Sequence, residues 1–350
     1  MGANSSNARR REPLTDAQLL TTISIGIFVV MYAAAMIFLG GGFLKVQQVF
    51  DLLNDNAALI IISCSLTIVM IGGGINISVG GVIGFTVMAS ALFLNAHDGG
   101  PMTIVLMVLL GLAIGFAFGL LEGFLVSYLE IQPFIVTLAG MFLSRGLTTM
   151  LSVNPVKVTH EGFLALVKAK IKIPWLGYVA QNGNLIPAKL EIGAVVAICV
   201  VLVIYLMLRY MRFGRNIYAL GGNRQSALML GINVRSTCFW SYVLSGLLSG
   251  LAGLVFIMHK PAGNASVAMR GEMDAIAASI IGGTLLTGGV GNVIGTFFGV
   301  MILATIQKII ALSPLNASWW QEMASGAMLG FFIILQSVVL SNRSKHKKAN

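Results

Sequence analysis

The chain has 350 residues, of which 57% are hydrophobic and only 10% are charged, and its mean hydropathy is +0.90. Soluble domains carry about 25% charged residues, so this composition excludes a soluble enzyme core and a nucleic-acid-binding domain. A spanning helix needs about 20 mostly apolar residues, and the hydrophobic content therefore allows about ten spans.

Ten apolar runs follow one another along the chain, and their unbroken character predicts helices instead of the alternating strands of a transmembrane barrel. The runs cover residues 19–39, 56–71, 75–95, 102–128, 133–152, 190–209, 237–258, 275–290, 293–311 and 320–340. All eight prolines fall at or outside the ends of these runs, as expected because an internal proline removes a helical hydrogen bond. The pattern predicts an all-α integral membrane protein with about ten transmembrane helices.

Basic residues are concentrated in three places that a membrane protein usually keeps on the cytoplasmic side. The net charge is +10, and clusters of arginine and lysine lie in the tail 1–18, in the loop 210–236 and in the tail 341–350. Ten crossings that start inside also return the chain to the inside, so charge and parity agree. We therefore expect one polytopic domain, residues 19–340, with both tails and the loop 210–236 in the cytoplasm.

The predicted external segment 153–189 departs from this charge rule. It carries five lysines: Lys157, Lys168, Lys170, Lys172 and Lys189. Orientation is set mainly by charges in short loops and near the ends of the spans, so we expect a segment of about 36 residues to tolerate this conflict. Its stretch 161–173 mixes apolar residues with lysines, which is compatible with a short helix at the outer interface, with a lid or with a simple connector.

Glycine is abundant, at 41 of 350 residues against a usual level of about 7%. One set recurs every four residues and predicts close packing of helix backbones: Gly111, Gly115, Gly119 and Gly123. Two irregular clusters, at 71–82 and 281–292, interrupt the apolar pattern with glycine and polar residues. A helix broken at membrane depth must be buried in protein or line a water-filled path. The clusters therefore indicate a polar conduit or, alternatively, tight cytoplasmic turns.

The chain offers little of the chemistry that an enzyme needs. Its twelve acidic residues and four histidines are scattered and form no metal-binding or catalytic spacing. Cys64, Cys199 and Cys238 lie inside apolar runs, where we expect them to pack as small lipophilic side chains. No Gly-Lys dipeptide occurs, which excludes a P-loop. We expect this chain to bind no metal or cofactor, and if ATP powers it, another subunit must bind the nucleotide.

A few ionisable residues lie within the apolar runs, where their energetic cost makes them functional candidates: Glu122, Arg145, Asp274 and Lys308. At a rise of about 1.5 Å per residue, Glu122 and Arg145 reach similar depths on neighbouring antiparallel spans and could form an ion pair. Alternatively, Glu122 bonds to a neighbouring helix and Arg145 extends to the outer interface.

The loop 210–236 carries start and stop signals for a short helix. Asn223 is a suitable N-cap, residues 224–230 are mostly good helix formers, and Gly231 suits a left-handed C-terminal cap. The predicted helix has two turns and is too short to span a membrane. It is either an element that an ATPase grips or a plain surface loop.

Five motifs are specific when taken together: Gly73-Gly-Ile-Asn-Ile-Ser-Val-Gly80, Ile131-Gln-Pro-Phe-Ile-Val-Thr-Leu138, Arg145-Gly146, Gly214-Arg-Asn-Ile-Tyr-Ala-Leu-Gly-Gly-Asn223 and Asp274-Ala-Ile-Ala-Ala-Ser-Ile-Ile-Gly-Gly-Thr284. With these motifs the chain resembles, from about residue 50 to 340, the permease subunits of ATP-binding-cassette sugar importers of the ribose, xylose and galactofuranose group. The run through Gly291 and the pair Trp319-Trp320 look closest to the galactofuranose permeases. Two positions depart from the family pattern, because Asn76 stands where aspartate is usual and Glu122 where asparagine is common.

The resemblance implies a permease in the bacterial cytoplasmic membrane that moves a monosaccharide inward by alternating access. It would work with a second, identical or related permease, with cytoplasmic ATP-binding-cassette ATPases that hold ATP and Mg²⁺, and with an external sugar-binding protein. The residues implied to border the sugar path are Asn76, Ser78, Arg145, Asp274 and Thr284. The residues implied to couple the chain to the ATPase are Asn223, Arg224, Gln225, Ser226, Ala227, Leu228, Met229, Leu230 and Gly231. An ion-coupled secondary carrier or channel, or a membrane-embedded enzyme, stays open as an alternative.

Overall fold

The computed structural model describes residues 16–39, 45–97, 100–179, 185–312 and 318–349. Residues 1–15 of the predicted tail 1–18, and residue 350 of the tail 341–350, lie outside the described residues. The described helices are α1 (Asp16–Leu39), α2 (Gln47–Asp55), α3 (Ala57–Ile71), α4 (Val79–Ala96), α5 (Pro101–Ser127), α6 (Pro133–Leu151), α7 (Glu161–Lys168), α8 (Ile192–Tyr210), α9 (Arg212–Gly222), α10 (Arg224–Met229), α11 (Val234–His259), α12 (Gly271–Ile281), α13 (Val293–Leu312) and α14 (Ser318–Ala349). The described strands are β1 (Val156–Lys157), β2 (Ile171–Val179), β3 (Leu185–Leu190) and β4 (Ala262–Gly263).

The helices confirm an all-α integral membrane protein. Within the described ranges, seven helices are long and apolar enough to cross a membrane, namely α1, α4, α5, α6, α8, α11 and α13, and the pair α2–α3, bent by 60°, forms an eighth candidate. The two remaining predicted runs coincide with α12 and α14. However, α12 ends at Ile281, before the glycines Gly282 and Gly283, so the predicted run 275–290 is not one continuous spanning helix.

The helices define two opposite ends of the bundle. The residue before α8 and the last residue of α11 meet, because His259 Nδ1 lies 2.7 Å from a carboxylate oxygen of Glu191. The antiparallel strands β2 and β3 lead into α8 here, so we call this the hairpin end. The helices α9 and α10 join the other ends of α8 and α11, about 28 Å away along α8; we call this the α9–α10 end. The start of α1 lies at this second end, since Asn292 Nδ2 donates to Thr21 Oγ1 over 3.3 Å.

Charged side chains bind the elements of the hairpin end to one another. Glu191 accepts hydrogen bonds from His259 Nδ1 at 2.7 Å and from Lys170 Nζ at 2.8 Å. His259 Nε2 also lies 3.7 Å from Asp55, which Lys308 approaches to 3.5 Å. Partial burial by itself raises the pKa of Glu191, but the hydrogen bonds from His259 and Lys170 outweigh it and leave that pKa below its ordinary value.

The packing of α5 against α11 depends on glycine. A Cβ atom added to Gly115 would lie 2.8 Å from the backbone nitrogen of Gly250, and one added to Gly119 would lie 2.9 Å from the Cα of Val243. Real side chains do not fit at such distances, so the two backbones approach as closely as the regular glycine spacing predicted. The helix α3 lies at the centre of the bundle, with every side chain from Ile60 to Ile71 buried.

The segment 153–189 is folded. The short helix α7 begins where the His160 ring accepts a hydrogen bond from the Phe163 amide at 3.1 Å, and Phe163 is fully buried. This confirms a short helix in the stretch 161–173, but the helix stops at Lys168, and the chain then forms the antiparallel hairpin β2–β3. The sequence patterns did not predict the hairpin.

The loop 210–236 contains two helices where one was predicted. The predicted helix is present as α10, and α9 precedes it as an amphipathic helix that buries Ile217 and Leu220. At the other end of the chain, α14 continues into the tail 341–350 as far as Ala349.

Candidate translocation and coupling site

The first glycine-broken segment holds a buried network of neutral hydrogen-bonding groups around one carboxyl. Asn76 is fully buried, and its Nδ2 donates to Glu122 Oε2 at 3.2 Å and to Ser245 Oγ at 3.0 Å. Its Oδ1 accepts from the backbone nitrogen of Ser78 at 3.0 Å and from the Ser78 hydroxyl at 2.8 Å. Two of the predicted path residues, Asn76 and Ser78, therefore belong to one cluster.

Ser245, the α11 partner in this network, was not among the residues predicted from the sequence. Its Oγ also lies 2.7 Å from the hydroxyl of Ser65 on α3. Ser241, Ser245 and Ser249 recur every four residues along α11, a spacing that places them on one face of the helix. That serine stripe is the signal from which the residue could have been found.

Glu122 is fully buried in α5, and the predicted ion pair with Arg145 is absent from the described contacts. Its carboxylate accepts from Asn76 instead, which corresponds to the alternative of a hydrogen bond to a neighbouring element. Gly140 on α6 makes room for it, because a side chain at that position would collide with Glu122 Oε1. This Oε1 has no hydrogen-bond partner among the described residues.

Arg145 holds the non-helical chain that leads into α12. Its guanidinium donates to the carbonyl oxygens of Val267 at 2.6 Å and Ala268 at 2.8 Å. These bonds give Arg145 partners within the chain, and its extension to the outer interface stays a prediction. Ala268 and Arg270 have φ angles of 50° and 67°, a left-handed region that ordinary residues seldom adopt. Irregular backbone within a membrane protein needs internal hydrogen-bond donors, and Arg145 supplies them here.

The last two predicted path residues lie outside the Asn76 network. Asp274 is half-buried in the first turn of α12, where a helix dipole favours a carboxylate. Thr284 is fully buried in the second break, and its hydroxyl has no partner among the described residues. Glu272, which was not among the residues predicted from the sequence, is only 7% exposed and lies against Gly80 at the start of α4.

The two glycine-broken segments meet each other at the α9–α10 end. The backbone nitrogen of Gly289 in the second break donates to the carbonyl oxygen of Ile71 at 2.8 Å. Gly73 and Gly288 face each other so closely that a Cβ on Gly288 would lie 2.9 Å from the Cα of Gly73. Both have positive φ angles, 82° and 85°, which glycine adopts without strain. These tight turns therefore form a single junction, which we call the glycine junction.

The end of α9 completes the glycine junction. A Cβ on Gly289 would lie 2.8 Å from the Cα of Gly222, and Gly221 packs against the Ile71 carbonyl. One turn earlier, the Tyr218 hydroxyl donates to the carbonyl oxygen of Gly291 at 2.8 Å. The helix that precedes the predicted coupling segment is thus in backbone contact with both breaks.

The predicted coupling helix α10 follows directly. The Asn223 side chain accepts from the Ser226 amide at 2.9 Å, and Gly231 has a φ angle of 76°, so both predicted caps are present. Ala227 does not face outward, because it is only 2% exposed and packs with Leu220 and Val234. The outward residues are Leu228, Met229 and Leu230, exposed to 54%, 87% and 78%.

A carboxylate in the turn between α5 and α6 also contacts this region. Glu130 lies 3.3 Å from Arg235 and 3.8 Å from Arg224, the first residue of α10. A cavity of about 320 Å³ separates this turn from the first break and is lined by Gly72, Gly74, Glu130, Arg224 and Tyr242 among others. The helix α10, the first break and the α5–α6 turn thus border one cavity.

Comparison with known proteins identifies the family. Residues 48–334 match the family described as the permease component of branched-chain amino acid transport systems. The chain belongs to this permease family. It is a multi-pass membrane protein, in agreement with the seven or eight candidate spans among its described residues.

Several curated relatives match this permease over most of its length. It is 40% identical to the inner membrane ABC transporter permease protein YjfF of Escherichia coli (strain K12), over 92% of this chain and 93% of that protein. It is 31% identical to the fructose import permease protein FruG of Bifidobacterium longum (strain NCC 2705), over 97% of each chain. It is also 31% identical to the ribose import permease protein RbsC of Escherichia coli (strain K12), over 96% of this chain and 98% of that one. No solved structure matches the chain.

Proposed function

We propose that this permease is the membrane subunit of an ATP-driven importer that moves a monosaccharide inward by alternating access. The observation that carries the proposal is the match to permeases named for fructose and ribose import over nearly the full length of both chains. The neutral groups around Asn76, Ser78 and Ser245 suit a substrate rich in hydroxyls. Such a substrate needs hydrogen-bond partners but must also leave, so weak neutral sites serve a path better than a charged trap.

The partners follow from what this chain lacks and from where its charge lies. It has no P-loop, so ATP and Mg²⁺ belong to separate ATP-binding-cassette ATPases. The arginine-rich α9–α10 end is placed in the cytoplasm by the positive-inside rule, together with both termini. A second permease, identical or related, completes the membrane part in the bacterial cytoplasmic membrane, and an external sugar-binding protein delivers the substrate.

We assign energy coupling to α10. Three consecutive apolar residues, Leu228 to Leu230, are exposed at its end, and such residues suit a groove in a partner ATPase. From α10 the chain leads back through Asn223 to Gly222, which touches the second break at Gly289. A movement of the ATPase can therefore reach both glycine breaks through a short rigid connection.

The path residues are closed in the conformation described. Asn76 and Ser78 are 0% and 1% exposed, so a sugar reaches them only after the elements around the breaks separate. We infer that this separation occurs at the glycine junction, because turns held by backbone contacts of glycine move without side chains in the way. Arg145, Asp274 and Thr284 are assigned to the same path as residues of the elements that border it.

A variant of α10 tests the coupling. Met229→Glu places a carboxylate on the most exposed apolar position of the helix, so it should abolish co-purification of the ATPase while the permease itself folds normally. Met229→Leu keeps the contact apolar and should retain the ATPase. Wild-type levels of ATPase and of sugar uptake in Met229→Glu would show that α10 is only a connector. Ala227→Glu is unsuitable, because Ala227 is buried within this chain and the change would disturb the fold.

A further inference from the structure

The hairpin end carries an unusual concentration of lysine. The lysines of the segment 153–189 are all exposed: Lys157, Lys168, Lys170, Lys172 and Lys189. Only Glu161 within the segment and Glu191 just after it are acidic. This end lies opposite the arginine-rich α9–α10 end, so under the proposed function it is external. Positive charge is disfavoured there near span ends, and its presence calls for a separate reason.

Two of these lysines face each other across the hairpin. In the register of β2 and β3, Lys172 is the direct partner of Lys189. Like charges at directly opposite positions destabilise a strand pair. Neither lysine forms an ion pair with another described residue, whereas the neighbouring Lys170 is bound to Glu191 at 2.8 Å. The fold therefore keeps an uncompensated positive pair on one face, which indicates that the compensating charge comes from outside the chain.

The hairpin is held firmly on the helical bundle. Gln47 on α2 accepts from the backbone nitrogen of Lys189 at 2.8 Å and donates to its carbonyl oxygen at 3.3 Å. Asn54, at the other end of α2, donates to the same carbonyl at 3.2 Å and accepts from the Glu191 amide at 2.9 Å. A preorganised surface loses little conformational entropy when it binds a partner.

The short helix α7, which precedes the hairpin, does not present its aromatic residue to a lipid surface. A segment that lies on a membrane presents large apolar side chains beside its lysines. The aromatic residue of α7, Phe163, is instead fully buried within the chain. The hairpin exposes Ile171 between Lys170 and Lys172, but its lysines, held in a fixed position by α2, fit the carboxylates of an acidic protein surface, where charge complementarity mainly speeds association and sets orientation.

We propose that the face of the hairpin formed by Lys170, Lys172 and Lys189 is the docking surface for an acidic face of the soluble sugar-binding protein. This inference rests on the proposed function, which supplies the external orientation and the partner. A protein docked there is connected to α2 by the hydrogen bonds of Gln47 and Asn54 to the end of the hairpin. Since α2 continues through a 60° bend into α3, and α3 ends at the glycine junction, the surface is connected to both breaks.

Charge variants separate docking from stability. Lys172→Glu creates an opposite-charge pair with Lys189, so it should stabilise the hairpin while it removes the positive face. The double variant Lys172→Glu/Lys189→Glu reverses the face. The matched control is Lys157→Glu, another exposed lysine of the same segment that lies on β1. The complete transporter with its ATPases is placed in nanodiscs and titrated with the sugar-binding protein encoded beside the permease gene, at low and high salt and with and without anionic lipid.

The expected result is binding weakened at least about fivefold in Lys172→Glu and further in the double variant, with a smaller salt dependence than the wild type. Basal ATPase activity and the thermal midpoint should not fall, and Lys157→Glu should bind within about twofold of the wild type. Unchanged affinity in the double variant, while the binding protein still stimulates uptake, overturns this inference and leaves the proposed function intact. An effect of the variants only through anionic lipid also overturns it. Uptake that needs no binding protein at all overturns the proposed function.

Discussion

The substitution Asn76→Asp tests the buried network most severely. It replaces the amide that donates to Glu122 with a second carboxyl, at a distance of 3.2 Å from Glu122 Oε2. Two carboxylates at that separation repel each other by about 5 kcal/mol at an effective dielectric constant of about 20. Uptake of a proton by the pair relieves part of this repulsion, so we expect a loss of about 2–5 kcal/mol in the free energy of unfolding.

A second substitution in the same chain should restore the network. Asn76→Asp combined with Glu122→Gln again gives one carboxyl and one amide, now with the amide on α5 as the donor. Ser78 keeps its two hydrogen bonds to position 76, which are 3.0 and 2.8 Å long in the wild type. Glu122→Gln alone leaves an amide oxygen to accept the hydrogen bond from Asn76. We expect this change to lower the free energy of unfolding by at most about 1 kcal/mol.

The assay is the thermal unfolding midpoint of the purified permease in nanodiscs, together with its yield. The expected order is wild type, Glu122→Gln and the double variant close together, with Asn76→Asp clearly lower. Additive effects, in which the double variant is no more stable than Asn76→Asp, would refute the contact between Asn76 and Glu122. A midpoint of Asn76→Asp equal to the wild type would show that these groups are not buried together.

Three further predictions concern other parts of the fold. Gly115→Leu should abolish the α5–α11 contact and the yield of folded protein, whereas Gly26→Leu should be tolerated because no atom of the described residues lies within 4 Å of a Cβ there; expression and size-exclusion profiles check this. Arg145→Met leaves the carbonyls before α12 without their donor. Each unpaired carbonyl should lower the free energy of unfolding by about 1–3 kcal/mol, which a lower thermal midpoint would show. The pKa of Glu191 is lowered in the folded protein from its ordinary value of 4.5. The ionised carboxylate therefore adds to the free energy of unfolding above pH 4.5, and this contribution is lost as the pH falls through the lower pKa of the folded protein. Glu191→Gln should therefore flatten the pH dependence of stability in that window, and an unchanged acid profile would contradict the assignment.

The spanning helices could be predicted from the sequence because long apolar runs leave few alternatives in a bilayer. The caps of α10 were also predictable, since Asn223 and Gly231 act through their own local geometry. The short helix α9 was not, because Gly214, Gly221 and Gly222 suggest a loop. Gly214 is needed for the close contact with Leu208, and Gly221 for those with Ile71 and Gly289, which only the tertiary structure reveals.

The partner of Glu122 could not be predicted for a geometric reason. Counting residues along a helix gives the depth of a side chain but not its direction around the helix axis. Glu122 and Arg145 reach similar depths, yet one contacts the first break and the other the chain before α12. The same limit applies to Ala227, because a six-residue helix is too short for its apolar pattern to show which side is buried.

The measurement that tests the central claim most directly is sugar uptake into proteoliposomes that contain this permease, its ATPase and any sister permease, with the sugar-binding protein outside. Uptake of a labelled monosaccharide should require ATP inside the vesicles and should be lost in Met229→Glu, while Met229→Leu transports normally. Uptake that follows an ion gradient without ATP, or that proceeds with this chain alone, would contradict the account.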